Sequence, residues 1–346
     1  MNPPAHPARL ALTLAVGALG VLAFHAASLP LPFLLGPLFG CLAAALSGIR
    51  LAAWTPLSDT MRTVLGVAVG ASITPAVIGQ MPSMALSLTL APLFLVATGL
   101  AGYPYLRRAC GLDPATAFYA AMPGGLQDML LFGEEAGGDP RALSLLHATR
   151  VLLIVTIVPA MLWLWYGIDL TTAPGAPVAD YRAGQLALMA AAGLVGWRVA
   201  RRAGLFGASI LGPLILTGAL SLAGIVETRP PAEAIQAAQF FIGIVVGVKY
   251  SGITLAEMRR FLVAGLGHAM ILATLAALFA EAVVLMGLAP PLDAILAFSP
   301  GGQAEMALMA IVAGADVAYV VVHHVTRIVL VITCAPLVFR WLSRRP

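Results

Sequence analysis

The chain has 346 residues, 60% of them hydrophobic and 10% charged, with a formal net charge of +4. A soluble domain carries roughly a quarter charged residues, so this composition excludes a soluble globular protein and implies an all-α polytopic membrane protein. The small positive balance is no nucleic-acid footprint: the arginines flank apolar runs, as topology determinants do, and no nucleic-acid partner is expected.

In chain order, Arg9 precedes an apolar run from Leu10 to Ala27. A cleaved secretory signal is the alternative there; the corresponding run in the second half, Gln185–Trp197, argues for a retained span. Next come Leu31–Gly48, Thr60–Ile78 and Met84–Leu106, the last closed by Arg107 and Arg108. The stretch from Asp113 to Phe132 is interrupted by Pro123-Gly124-Gly125. A span starts at Asp139-Pro140, an N-cap residue followed by proline at the first helical position, and runs to Tyr166. A polar linker, 169–183, separates a first membrane repeat (1–168) from a second (184–346).

The second half follows the same order: Gln185–Trp197, Leu205–Ile225, Ala234–Ile253, Phe261–Leu288, a broken segment from Pro291 to Val312, and a last span from Asp316 to Phe339. The two broken segments are copies. Pro123-Gly124-Gly125 with Asp128 and Met129 stands 177 residues before Pro300-Gly301-Gly302 with Glu305 and Met306. At the same offset Asp139 meets Asp316, His147 meets His324, Thr149 meets Thr326, and Arg150 meets Arg327. Leu35-Gly36-Pro37-Leu38 recurs as Leu211–Leu214, and the GxxxG pairs Gly66/Gly70 and Gly243/Gly247 predict close helix packing.

The arginines decide what the broken segments are. If each crossed the membrane, the halves would point the same way, and the clusters Arg198/Arg201/Arg202 and Arg259/Arg260 would face outward. If each is a re-entrant hairpin, each half has five spans, the halves are inverted, and these clusters join the other arginines in the cytosol. Positive-inside bias favours the second arrangement. It places both termini in the cytosol of a bacterial inner-membrane protein.

Helix rise gives the depth. From Asp113 to Pro123 is roughly 15 Å of helix, half of a ~30 Å hydrocarbon core. Arg150 lies about 16 Å beyond Asp139 on the same rise, and the second repeat mirrors both from the opposite face. The expected site is therefore Pro123, Gly124, Gly125, Asp128, His147, Arg150, Pro300, Gly301, Gly302, Glu305, His324 and Arg327. Pro-Gly-Gly is read as ending a helix, allowing positive φ and freeing backbone N–H groups for an anion at the next helix start. Asp128 with Arg150, and Glu305 with Arg327, are read either as structural ion pairs or as ligand and coupling-ion contacts. His147 and His324 are read as packing residues or as a proton relay; Asp139 and Asp316 as helix caps. His323, His25 and His268 have no repeat counterpart and carry little weight. No His, Cys or carboxylate spacing suits a metal, so neither metal nor cofactor is expected, and no catalytic motif stands out.

On these motifs the chain resembles the bacterial membrane family named for an AbrB duplication. The resemblance rests on the duplicated Leu-Gly-Pro, the two Pro-Gly-Gly hairpins with their acidic residue, and His147–Arg150 with His324–Arg327. Family labels imply transcriptional regulation or ammonia monooxygenase activity. The residues support neither directly. The expected function is secondary transport of a small, anionic solute coupled to H⁺ or Na⁺, with a membrane sensor acting indirectly on gene expression as the alternative and a membrane monooxygenase third. The expected partners are the lipid bilayer, a small-molecule or ion substrate, and a second copy of the chain in a homodimer.

Overall fold

The computed structural model is all-helical and describes residues 7–171, 175–205 and 207–343. The first half contains α1 (Pro7–Ala26), α2 (Pro32–Leu46), α3 (Thr55–Gly70), α4 (Pro75–Leu88), α5 (Leu90–Pro104), a π-helical turn (Tyr105–Ala109), α6 (Pro114–Ala121), α7 (Leu126–Glu135) and α8 (Pro140–Tyr166). The second contains α9 (Ala183–Arg202), α10 (Ala208–Leu222), α11 (Ala232–Val248), α12 (Leu255–Leu285), α13 (Pro291–Phe298), α14 (Gln303–Ala313) and α15 (Val317–Ser343).

Among the described residues, six helices are long and apolar enough to cross a membrane: Pro7–Ala26, Met84–Ala109, Pro140–Tyr166, Ala183–Arg202, Arg259–Leu285 and Val317–Ser343. The other four expected spans, α2, α3, α10 and α11, have 15, 16, 15 and 17 residues. At 1.5 Å per residue they reach only about 22–26 Å. Turn residues bound them: Pro32 starts α2, and Gly48 and Gly224 follow α2 and α10 at φ 84° and 69°. The expected span Thr60–Ile78 divides between α3 and α4, because Pro75 drives the residue before it out of the helical region.

The chain forms two compact units that each draw on both halves. The first comprises Met1–Gln80, Val158–Ile253 and Ala307–Ala318; the second comprises Met81–Ile157, Thr254–Met306 and Tyr319–Pro346.

In the first unit the repeated glycines explain themselves as contact points. A Cβ at Gly20 would land on the Gly36 carbonyl, and one at Gly196 would meet the Gly212 carbonyl. This is the same α-helix crossing, α1 on α2 and α9 on α10, made twice. The GxxxG pairs cross between the halves. Gly66 and Gly70 of α3 abut the carbonyls of Ile210 and Leu214 on α10, while Gly243 and Gly247 of α11 abut those of Leu34 and Leu38 on α2. Contacts advance by four residues on both partners, so α3 runs parallel to α10 and α11 parallel to α2. Without a Cβ, these backbones approach closely enough for dispersion to hold them in an apolar solvent.

The second unit holds the first broken segment and, as far as Met306, the second. Asp113 caps α6 by accepting from Thr116 N at 2.8 Å. The Thr116 hydroxyl accepts from Asp139 N at 2.7 Å and so ties α6 to the start of α8. Asp139 caps α8 through Arg141 N (2.9 Å) and Ala142 N (3.2 Å), as expected. Phe94, Phe279 and Phe298 join α5, α12 and α13, with ring centroids 5.4–5.9 Å apart. Edge-to-face and stacked rings of this kind hold α13, the first arm of the second broken segment, against α5 and α12.

Candidate functional site

Each broken segment is two short helices joined by an extended tip. Met122 (φ −77°, ψ 126°) and Ser299 (φ −57°, ψ 127°) end α6 and α13 in the extended conformation that a following proline imposes. No tip glycine has positive φ among the described residues, so the positive φ that glycine allows is not used here. Their role is steric instead. Gly124 gives way to the Met129 side chain and Gly301 to that of Met306. The Glu305 carboxylate occupies the space where a Gly302 side chain would stand. The spacing Pro-Gly-Gly-x-x-acid-Met is thus one first helical turn folded back onto its own tip.

An extended tip turns alternate carbonyls to one side, and the arginines take them. Arg150 Nη1 donates to Met122 O at 3.2 Å and Nη2 to Gly124 O at 3.1 Å. Arg327 Nη1 donates to Ser299 O and Nη2 to Gly301 O, both at 2.9 Å. The planar fork of a guanidinium suits two such acceptors. Both arginines are buried, at 2% and 4% exposure. Both terminal nitrogens of Arg150 and of Arg327 thus go to carbonyls, so arginine-to-carbonyl clasps stand where ion pairs with Asp128 and Glu305 were one of the two readings. A neutral carbonyl satisfies a donor without cancelling the charge. Each guanidinium also keeps a buried Nε–H with no hydrogen-bond partner.

The carboxylates stand in the first turns of α7 and α14, where the helix dipole favours negative charge. Asp128 is half-buried with its Oδ2 unpartnered, and Glu305 is 7% exposed. Asp128, Arg150, Glu305 and Arg327 all belong to the second unit. The structure thus brings together, in one unit, residues expected from opposite halves of the sequence.

The histidines differ. His324 Nε2 lies 2.9 Å from Leu296 O, and its Nδ1 lies 3.0 Å from Arg327 Nη2. A carbonyl can only accept and a guanidinium can only donate. His324 is therefore the neutral Nε2–H tautomer and acts as a brace for Arg327. His147 is buried at the equivalent place, three residues before Arg150.

Three side chains that sequence reasoning discounted or passed over also belong here. His323 bridges Ser87 Oγ (3.0 Å) and Tyr319 O (2.8 Å). Gln303, at 9% exposure, has an unpartnered Nε2 at the start of α14. His268 of α12 packs against Gly102 and Ala121 near the first tip. His323 and Gln303 stand where the first copy has Leu146 and Leu126. The signal was the place where the repeat fails, a polar residue in one copy against an apolar one in the other. Among the described residues no three His, Cys, Asp or Glu side chains converge as metal ligands would.

A protein of Bacillus subtilis (strain 168), YhjN, described as uncharacterized, is 28% identical over 297 residues, covering 81% of this chain and 77% of that protein. The family model described as transition state regulatory protein AbrB matches residues 33–343, and the chain belongs to the AbrB family.

Proposed function

We propose that the protein is a secondary transporter of the bacterial inner membrane, moving a small anionic solute in exchange for work done by an H⁺ or Na⁺ gradient. One observation carries this reading: two buried guanidiniums, each held by neutral tip carbonyls, each with an unused Nε–H. Buried donors without acceptors cost roughly 1–3 kcal/mol each, and an anion would satisfy them. The Gln303 amide adds another such donor. Asp128 and Glu305 would take the coupling ion or proton, since an ionised buried carboxylate needs a positive partner.

Inverted repeats with broken helices at mid-membrane are the pattern of such transporters. The parallel packing of α3 on α10 supports inversion. With re-entrant hairpins those helices cross the bilayer in the same direction; with six spans per half they would cross in opposite directions. The family description favours a second reading, a membrane sensor whose solute occupancy alters gene expression indirectly.

Flux separates the two. Wild-type protein in proteoliposomes should accumulate small carboxylate or phosphate anions when a pH or Na⁺ gradient is imposed. Arg150→Gln and Arg327→Gln should abolish uptake in folded protein. Full uptake by both variants would remove the site assignment. Anion-induced thermal stabilisation without flux would favour the sensor.

A further inference from the structure

Away from the hairpins, the second unit contains an open cavity of about 990 Å³ between the π-helical turn and the first turns of α12. Tyr105, Cys110 and Leu112 form one wall; Arg259, Arg260 and Val263 belong to the other. Pro104 lies inside the helix just before the turn and supplies no N–H. The helix widens there, with Cys110 N bonded to Tyr105 O at 3.2 Å. Arg107 Nη1 then donates to Leu112 O at 2.7 Å and folds the following loop back.

We propose that this cavity is a binding site for an anionic phospholipid. The charge is positive: among the described residues that line the cavity, two are arginines and none is a carboxylate. The nearby Glu257 is engaged elsewhere, accepting from Arg141 Nη2 at 2.9 Å and from the Thr254 hydroxyl at 2.6 Å. Arg260 is steadied over the Phe261 ring, 5.7 Å from its centroid. Below the arginines the surface turns apolar. Arg259, Val263, Leu266 and Met270 follow the i, i+4, i+7, i+11 spacing of a single helix face, and the last three are 63%, 45% and 54% exposed. From Arg259 to Met270 is about 16 Å of helix, half a bilayer core. A phosphate group at the arginines would lay its acyl chain along this stripe, whereas a free anion would use only the cavity mouth.

The test is lipid retention by native mass spectrometry together with thermal unfolding, on full-length protein in vesicles of phosphatidylcholine alone or mixed with phosphatidylglycerol. An arginine near a membrane surface contributes roughly a factor of five in attraction to anionic lipid. The Arg259→Gln/Arg260→Gln variant should lose about 25-fold in phosphatidylglycerol selectivity, while Arg201→Gln/Arg202→Gln, the same change in charge at the exposed end of α9, keeps it. Equal loss in both variants would reduce the effect to general surface charge and overturn the site. So would a wild type indifferent to phosphatidylglycerol, or one that inorganic phosphate stabilises as well as the lipid does. Should the double variant unfold in phosphatidylcholine too, Val263→Asp, which interrupts the stripe and leaves the arginines, must lower lipid retention; unchanged retention overturns the proposal.

Discussion

Arg150 and Arg327 make the same pair of contacts in two copies of one motif. Arg150 reaches carbonyls 28 and 26 residues before it, and Arg327 reaches carbonyls 28 and 26 residues before it. The duplication has preserved a clasp between a helix and a hairpin tip, and that clasp sets where the guanidinium charge lies.

A lysine keeps the charge but cannot span two carbonyls. Arg150→Lys should leave one tip carbonyl unsatisfied and destabilise the protein by about 1–3 kcal/mol. Arg327→Lys should cost more, because His324 Nδ1 also loses its donor. Thermal unfolding in one detergent ranks the three proteins. A ranking in which Arg327→Lys matches wild type would mean that the clasp does not hold the tip.

Glycine replacements separate the site from the scaffold. Gly302→Ala pushes against the end of the Glu305 side chain, which can move. It should leave stability within about 1 kcal/mol while displacing the carboxylate and impairing transport. Gly20→Ala pushes against the Gly36 backbone, which cannot yield cheaply. Overpacking of that kind costs typically about 1–3 kcal/mol. Comparing unfolding and flux for both variants checks the contrast, and equal destabilisation would refute it.

Much of this was legible in sequence, for identifiable reasons. Apolar runs, their arginine flanks and the 177-residue register carry the helices, the broken segments and the convergence of Arg150 with Arg327. What escaped has no sequence identity. Every residue offers a carbonyl, so nothing marked Met122 and Gly124 as the partners of Arg150, and Asp128 looked the better candidate. The tip glycines were credited with conformational freedom because close approach of Met129 or Glu305 is invisible without coordinates. The short helices α2, α3, α10 and α11 were lengthened by apolar flanking residues that turn rather than continue. Gln303 and His323 were passed over because evidence was sought in repetition, and they are where the repeat departs from itself.

Acid should weaken one contact at the edge of the membrane. The Glu257 carboxyl is held below its ordinary value of 4.5 by the Thr254 hydroxyl and backbone N–H, with Arg141 adding attraction. A depressed folded value means that the contribution is complete above pH 4.5 and is lost as pH falls through the folded value. Glu257→Gln should therefore lower the Tm slightly at pH 7, and the difference should shrink as the pH falls below 4.5. A gap that grows on acidification would contradict this sign.

The membrane arrangement has a direct chemical test in the linker between the repeats. Val178 is 43% exposed and precedes α9. With five spans per half and a cytosolic N-terminus, the linker lies outside; with six it lies inside. The three cysteines, Cys41, Cys110 and Cys334, can be replaced by serine or alanine before a single cysteine is placed at 178. An impermeant maleimide added to intact cells should then label Val178→Cys, while a cysteine placed at exposed Arg202, the last residue of α9, should react only once the membrane is opened. The inverted arrangement requires that pair of results. Labelling of position 202 and not 178 in intact cells would require the broken segments to cross the membrane, and would remove the mid-membrane meeting of the two tips on which the transport reading depends.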